Sequence, residues 1–146
     1  MAIEMEQKRL EEIDLELATL IRRATAAALD KKLGTLERSA YLLLNQLDSC
    51  GPTGVKALSE QFRLDISTVS RQTAALETKG YIQRLPDPTD GRASHFQITE
   101  LGLQELLETR RARIDRFTKL FRDWSEEECR MLGLLLGKLN RTFIDE

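Results

Sequence analysis

The chain is 146 residues long, 41% hydrophobic and 32% charged, with a formal net charge of −2. That length holds one well-buried core, or one small domain with an extension, and the composition excludes a disordered chain. The near-neutral balance excludes a polycation, so any nucleic-acid contact must draw its positive charge from one face.

The N-terminal run MAIEMEQKRLEEIDLEL has neither a basic n-region nor a continuous apolar stretch, so no signal peptide is expected. No segment approaches the roughly 20 apolar residues that span a bilayer, and no membrane partner is expected. Leu10, Ile13, Leu17, Leu20, Ile21, Ala24 and Ala28 recur at three- and four-residue steps. That spacing predicts an amphipathic helix of about six turns, ended by Gly34. A second helix, from about Leu36 to Ser49, carries Tyr41-Leu42-Leu43-Leu44 and Leu47. It is apolar around much of its circumference, as a helix in the domain centre should be. Cys50-Gly51-Pro52-Thr53-Gly54 is turn chemistry, with Thr53 placed to cap the helix that follows.

Val55, Leu58 and Phe62 form a helical stripe that runs through a short turn into a second helix, Ile66 to Lys79. After Gly80 comes a β-like pair, YIQRLP and ASHFQIT, joined by Asp87-Pro88-Thr89-Asp90-Gly91-Arg92. Two short helices across a tight turn make a helix-turn-helix, and the hairpin behind them makes it winged. Such a module reads double-stranded DNA. With Val69 as inward anchor and about 100° per residue, Leu76 points the same way, flanked by Ile66 and Thr73. The opposite face presents Ser67, Arg71, Ala74 and Thr78, with Thr68, Ser70 and Ala75 on its edges. Hydroxyls and a guanidinium bond to phosphates and base edges, and small residues let the helix lie close to the groove floor. In the wing strands Ile82, Phe96 and Ile98 are expected to face the core, and Arg84 and Gln97 to face out. Arg92 at the loop tip suits a narrow minor groove, and Asp87 and Asp90 suit holding that tip through hydrogen bonds and ion pairs. The lone histidine, His95, has no partner cluster near it in sequence and is expected to face DNA or solvent. No metal site and no cofactor are expected.

Thr99 stands where an N-cap belongs, and Leu103, Leu107, Ile114, Phe117 and Phe121 then trace a long helix with Arg110 on the same stripe. Ser125 and Glu128 read as a capping box, with Trp124 and Cys129 as its hydrophobic staple. The last helix presents Leu132, Leu135, Leu136, Leu139 and Phe143. The expected class is mainly α with a small β-wing. A winged helix-turn-helix lobe over 36–99 is flanked by dimerisation helices over 1–35 and 100–146. The terminal helices carry more apolar surface than a winged domain of that size needs, which points to a homodimer matched to a palindromic site. Cys50 and Cys129 are far apart, in no metal-ligand spacing, and read as structural thiols of a reduced, cytoplasmic protein.

From Ala57 to Gly102, ALSEQFRLDISTVSRQTAALETKGYIQRLPDPTDGRASHFQITELG resembles the MarR (multiple antibiotic resistance regulator) family of transcription regulators. The family favours an acidic-x-arginine-acidic-x-arginine wing. Here both aspartates and the last arginine stand at Asp87, Asp90 and Arg92, and Thr89 replaces the middle arginine. The resemblance implies a homodimer with interlocked terminal helices that represses genes from a palindromic operator. It also implies release by a small aromatic or phenolic effector. An enzyme is disfavoured, because no phosphate-binding glycine loop, nucleophile elbow or His-Cys-carboxylate set is present. A winged helix for protein contacts, or one that coats DNA without sequence preference, remains the alternative.

Overall fold

The computed structural model describes residues 2–26, 36–89, 91 and 94–144. In chain order these form α1 (Ala2–Ala26), α2 (Arg38–Cys50), β1 (Thr53–Gly54), α3 (Val55–Phe62), α4 (Ile66–Thr78), β2 (Ile82–Pro86), β3 (Ser94–Ile98), α5 (Glu100–Leu120) and α6 (Glu126–Ile144). They fall into two compact units, Met1–Arg110 and Arg111–Glu146. Ala28 and Gly34 lie outside the described residues, and so do Asp90 and Arg92 at the wing tip.

The core of the first unit gathers one face from each element of the winged lobe. Leu43, Leu44 and Leu47 of α2, Leu58 of α3, Val69 and Leu76 of α4, Ile82 of β2, Phe96 of β3 and Leu106 of α5 are all buried. Tyr41, Val55, Phe62 and Leu103 pack against them. On α2 burial is confined to one side, and Leu42 is 47% exposed. The helix is therefore amphipathic rather than buried all round. Along α5 the inward line is Gly102, Leu106 and Thr109, while Leu107 faces out. The small residues at 102 and 109 carry that inward face, and a hydrophobic pattern does not register them. Arg110 continues it, donating to Asn45 Oδ1 of α2 at 2.6 Å.

The sheet has three strands in the order β1-β3-β2, all antiparallel. Its third strand is the Thr53-Gly54 segment, which pairs with Phe96 and His95. Two residues show no period of their own, and only the partner strand makes them β. Thr53 does not cap α3. Its hydroxyl donates back to the Gly51 carbonyl at 2.9 Å, and Gly54 occupies the N-cap position.

Thr99 caps α5, its hydroxyl accepting the Gly102 N–H at 3.0 Å. The same hydroxyl donates to the Gly80 carbonyl at 2.6 Å, and the Thr99 N–H donates to the Tyr81 carbonyl at 3.0 Å. Gly80 has φ +81°, a conformation suited to glycine, and ends the α4 region.

In the second unit Ser125 and Glu128 form a reciprocal capping box. The Ser125 N–H donates to the Glu128 carboxylate at 2.9 Å and the Glu128 N–H to the Ser125 hydroxyl at 3.1 Å. The Ser125 N–H first, and the Ser125 hydroxyl after it, hold the Glu128 carboxyl below its ordinary range. Trp124 lies edge-on to Phe121, with ring centroids 4.8 Å apart.

The terminal helices leave apolar side chains uncovered. Leu10, Ile13, Leu20 and Ile21 on α1, and Leu134, Leu135, Leu136 and Phe143 on α6, are exposed. Cys50 and Cys129 are exposed as well, so neither thiol is a core residue within the chain. No helix among the described residues is long and apolar enough to cross a membrane.

Candidate nucleic-acid interface

The helix pair α3 and α4 is joined by Arg63-Leu64-Asp65. Arg63 takes a left-handed conformation (φ 52°, ψ 46°) and closes α3 by donating its N–H to the Ser59 carbonyl. The Leu64 N–H donates to that carbonyl too, at 3.0 Å. Asp65 is extended, and its carbonyl accepts the Val69 N–H at 3.1 Å, which starts α4. One reversed residue thus swings the chain from one helix to the next without a glycine.

On α4, Val69, Thr73 and Leu76 are buried, as the helical phase requires. Thr73 satisfies its buried hydroxyl by donating to the carbonyls of Val69 and Ser70, at 2.9 and 3.0 Å. Ile66, expected to flank this inner face, is 57% exposed. In the first turn the neighbouring chain enters from α3 and leaves the side chain uncovered. The outer face is the expected one. Ser67, Ser70, Arg71, Ala74, Ala75 and Thr78 are exposed, and Thr68 is half-buried at the edge. Arg71 lies along this face, donating to the Thr68 hydroxyl at 3.3 Å. Thr78 turns its hydroxyl back to the Ala74 carbonyl at 2.9 Å, which leaves its methyl group outward.

Arg84 is exposed, as expected. In the register of β2 and β3, Ile82 pairs with Ile98 and Arg84 with Phe96. Arg84 is two residues from Ile82, so it leaves the strand on that residue's side and reaches solvent past Phe96. Its guanidinium lies 5.1 Å from the centroid of the Phe96 ring. It also donates to both carboxylate oxygens of Glu77 on α4, each at 3.4 Å. Gln83 and Gln97 occupy the other side and bond to each other at 3.2 Å.

Asp87 directly follows Pro86, whose pairing with Ser94 is the last of the hairpin ladder. Its Oδ1 accepts both the N–H and the hydroxyl of Thr89 at 2.8 Å. Its Oδ2 lies 3.2 Å from His95 Nε2. His95 therefore has an ionic neighbour eight residues back, where the sequence suggested an unattached side chain. Hairpin register supplies the reason: Leu85 is the direct partner of His95, and Asp87 is its diagonal neighbour.

Between α3, α4 and the wing lies an open groove of about 620 Å³, with Lys56, Glu60, Ser70, Arg84, Asp87 and His95 in its wall. Lys56 and Glu60 in this wall, and Glu77 behind Arg84, are not singled out by helical phase or hydrophobic pattern. Among the described residues, no group of three His, Cys, Asp or Glu side chains is placed to hold a metal ion.

An exposed hydroxyl-rich helix face beside a β-hairpin is the geometry of a winged helix that meets a nucleic-acid groove. Comparison with known proteins agrees. Residues 36–94 match the MarR family. The chain is 51% identical over 140 residues to the HTH-type transcriptional regulator YxaD of Bacillus subtilis, spanning 95% of this chain and 98% of that one. Its fold is similar to that of Streptococcus pneumoniae FabT, solved in complex with DNA. The TM-score is 0.73 at 20% identity, over 93% of this chain and 98% of that one. It is also similar to the PcaV transcriptional regulator of Streptomyces coelicolor, solved with its natural ligand. There the TM-score is 0.70 at 21% identity, over 84% of this chain and 89% of that one. On the match of its DNA-reading lobe and its full-length likeness to a helix-turn-helix regulator, the chain belongs to the MarR family of DNA-binding transcriptional regulators.

Proposed function

We propose that two copies of the chain bind a palindromic operator, each laying α4 in the major groove with its wing beside it, and repress transcription until a small effector releases them. The outer face of α4 carries this reading. Five small or hydroxyl-bearing positions and Arg71 are exposed on it, with no carboxylate among Ser67, Ser70, Arg71, Ala74, Ala75 and Thr78. A face built for protein contact would be apolar or acidic. The uncovered leucines of α1 and α6 support the homodimer, since exposed apolar side chains in such number favour burial against a second copy.

Within this reading Ser67, Thr68, Ser70, Arg71, Ala74 and Thr78 meet base edges and backbone in the major groove. Arg92 enters the minor groove, and Asp87 with Asp90 supports the wing tip. Arg84 lends positive charge beside the phosphates while tied to Glu77. The protein is a regulator rather than an enzyme, and works in the cytoplasm without a cofactor. The likeness to PcaV, solved with its natural ligand, supports an effector; its small aromatic or phenolic class is what the family resemblance implies.

Selection of bound sequences from random duplex DNA, with a salt titration alongside, tests the proposal. A palindrome with half-site centres about one helical turn apart is expected. Uniform binding of all sequences with a steep salt dependence would replace it with a backbone binder.

A further inference from the structure

We infer that Glu77 is a positioning residue for DNA binding: paired with Arg84, it fixes that guanidinium where α4 meets the wing before any DNA arrives. The inference rests on the DNA-binding reading given above. A carboxylate at position 77 is out of place on two grounds. It stands in the last turn of α4, where the negative end of the helix macrodipole opposes it. It also belongs to a helix that is to meet a polyanion, and the outer face of that helix carries no acid. Its one side-chain partner among the described residues is Arg84, which meets both of its oxygens at 3.4 Å.

The surroundings hold both partners in place. The Gly80 N–H donates to the Glu77 carbonyl and the Tyr81 N–H to the Leu76 carbonyl, each at 3.0 Å. With Gly80 left-handed, this is a Schellman closure, and it fixes the backbone of Glu77 at the turn into β2. On the strand side Arg84 lies over Phe96, a ring only 1% exposed and therefore anchored in the core. The guanidinium thus has a fixed ring beneath it and a two-oxygen acceptor beside it. Its side chain is still 54% exposed, in the same groove wall as Lys56 and Ser70, so its charge stays within reach of a phosphate.

Fixing an arginine costs rotamer entropy, and that cost falls either on folding or on binding. The pair with Glu77 shifts it to folding, so that α4 and the wing present one preformed surface. An exposed ion pair contributes little to stability. The effect of Glu77 is therefore expected in DNA affinity and not in the unfolding midpoint.

Two measurements separate the pairing from its consequence. In the free protein, the Arg84 Nε–H signal, identified by its absence in Arg84→Lys, is expected to exchange with water faster in Glu77→Ala. An equal rate would overturn the pairing, whatever the protein binds. On the duplex recovered by selection, a double-mutant cycle compares the affinity lost through Arg84→Ala in wild type and in Glu77→Ala. The loss should be about two- to tenfold smaller without Glu77, the range for ordering one long side chain. Equal losses in the two backgrounds would overturn the positioning role. A larger loss without Glu77 would overturn it as well, since the carboxylate would then be withholding Arg84 from DNA. A lobe markedly destabilised by Glu77→Ala would assign the residue to folding instead. Failure of the wild type to bind any duplex would overturn the DNA-binding reading and leave the exchange result standing.

Discussion

The winged lobe and the terminal helices are made from similar leucine-rich helices, yet they treat their apolar side chains in opposite ways. In the lobe, Leu43, Leu44, Leu47, Leu58 and Leu106 are each at most 1% exposed, and the core closes on itself. On α1 and α6, Leu10, Leu20, Leu134 and Leu135 are each more than half exposed. Burying an apolar side chain of this size contributes about 1.5–3 kcal/mol. The lobe takes that stabilisation within one chain, and the terminal helices leave it available to an association. On the proposed dimeric reading, folding and assembly fall to different stretches of sequence, and substitutions should separate them.

The largest separation is expected at glycine. A Cβ at Gly102 would lie 2.1 Å from the Tyr81 carbonyl oxygen and 2.9 Å from its carbon, both backbone atoms that cannot step aside. Gly102→Ala should destabilise the lobe by about 3 kcal/mol, the upper range of overpacking, read as a lowered denaturant midpoint. Wild-type stability in that variant would mean that α5 is free to slide away from β2.

Leu135→Glu tests the other side of the comparison. Sedimentation should show monomers at concentrations where the wild type is dimeric, with the near-native denaturation midpoint of the lobe retained. A dimer of unchanged strength would remove this face of α6 from the association. Of intermediate size is the contrast between two arginines. Arg71→Ala should weaken binding by about 1–3 kcal/mol, unevenly across operator variants. Arg84→Ala should also weaken binding. If its loss is one of a phosphate contact, the salt slope falls by about 0.9; if Arg84 mainly joins α4 to the wing, the slope is unchanged.

A smaller effect of opposite sign is expected at Gly133 of α6, where a Cβ would meet nothing within 4 Å. Gly133→Ala should stabilise that helix by up to about 1 kcal/mol through helix propensity. A loss instead would show that a partner covers the position. The slightest effect concerns the Ser125–Glu128 box. Its carboxyl is held below its ordinary range by the Ser125 N–H and then the Ser125 hydroxyl. The folded form therefore favours the carboxylate, so the contribution is complete above the ordinary glutamate range and is lost as pH falls through the lowered value. The protection factors of the first-turn amides of α6, taken against the intrinsic exchange rate at each pH, should fall on acidification, and Ser125→Ala should remove most of that response.

What the sequence made legible follows from the range of the interactions. The capping box, the cap at Thr99 and the inner face of α4 depend on residues within one or two helical turns, and these are read directly from spacing. The outer face of α4 follows from the same phase. Arg84 illustrates a different limit. Polarity alone suggests an exposed side chain, and it is one, but the two-residue repeat of the strand starts it on the side of Ile82, and its contacts with Phe96 and Glu77 follow from that. The His95–Asp87 pair needed the hairpin register, which a loop rich in proline, glycine and aspartate does not fix, and β1 needed its distant pairing with β3. The inward line of α5 was displaced because Gly102 and Thr109 are small or polar and leave no mark in a hydrophobic pattern.

Thr99 gives the lobe a mechanical property. Its side chain grips the Gly80 carbonyl just past α4 and the Gly102 N–H inside the first turn of α5, while its own N–H holds Tyr81. The end of the recognition helix and the beginning of α5 thus share a single pivot with no slack, less than two hydrogen-bond lengths across. The connection from the end of α4 to the first turn of α5 therefore runs through one side chain and not only through the intervening hairpin.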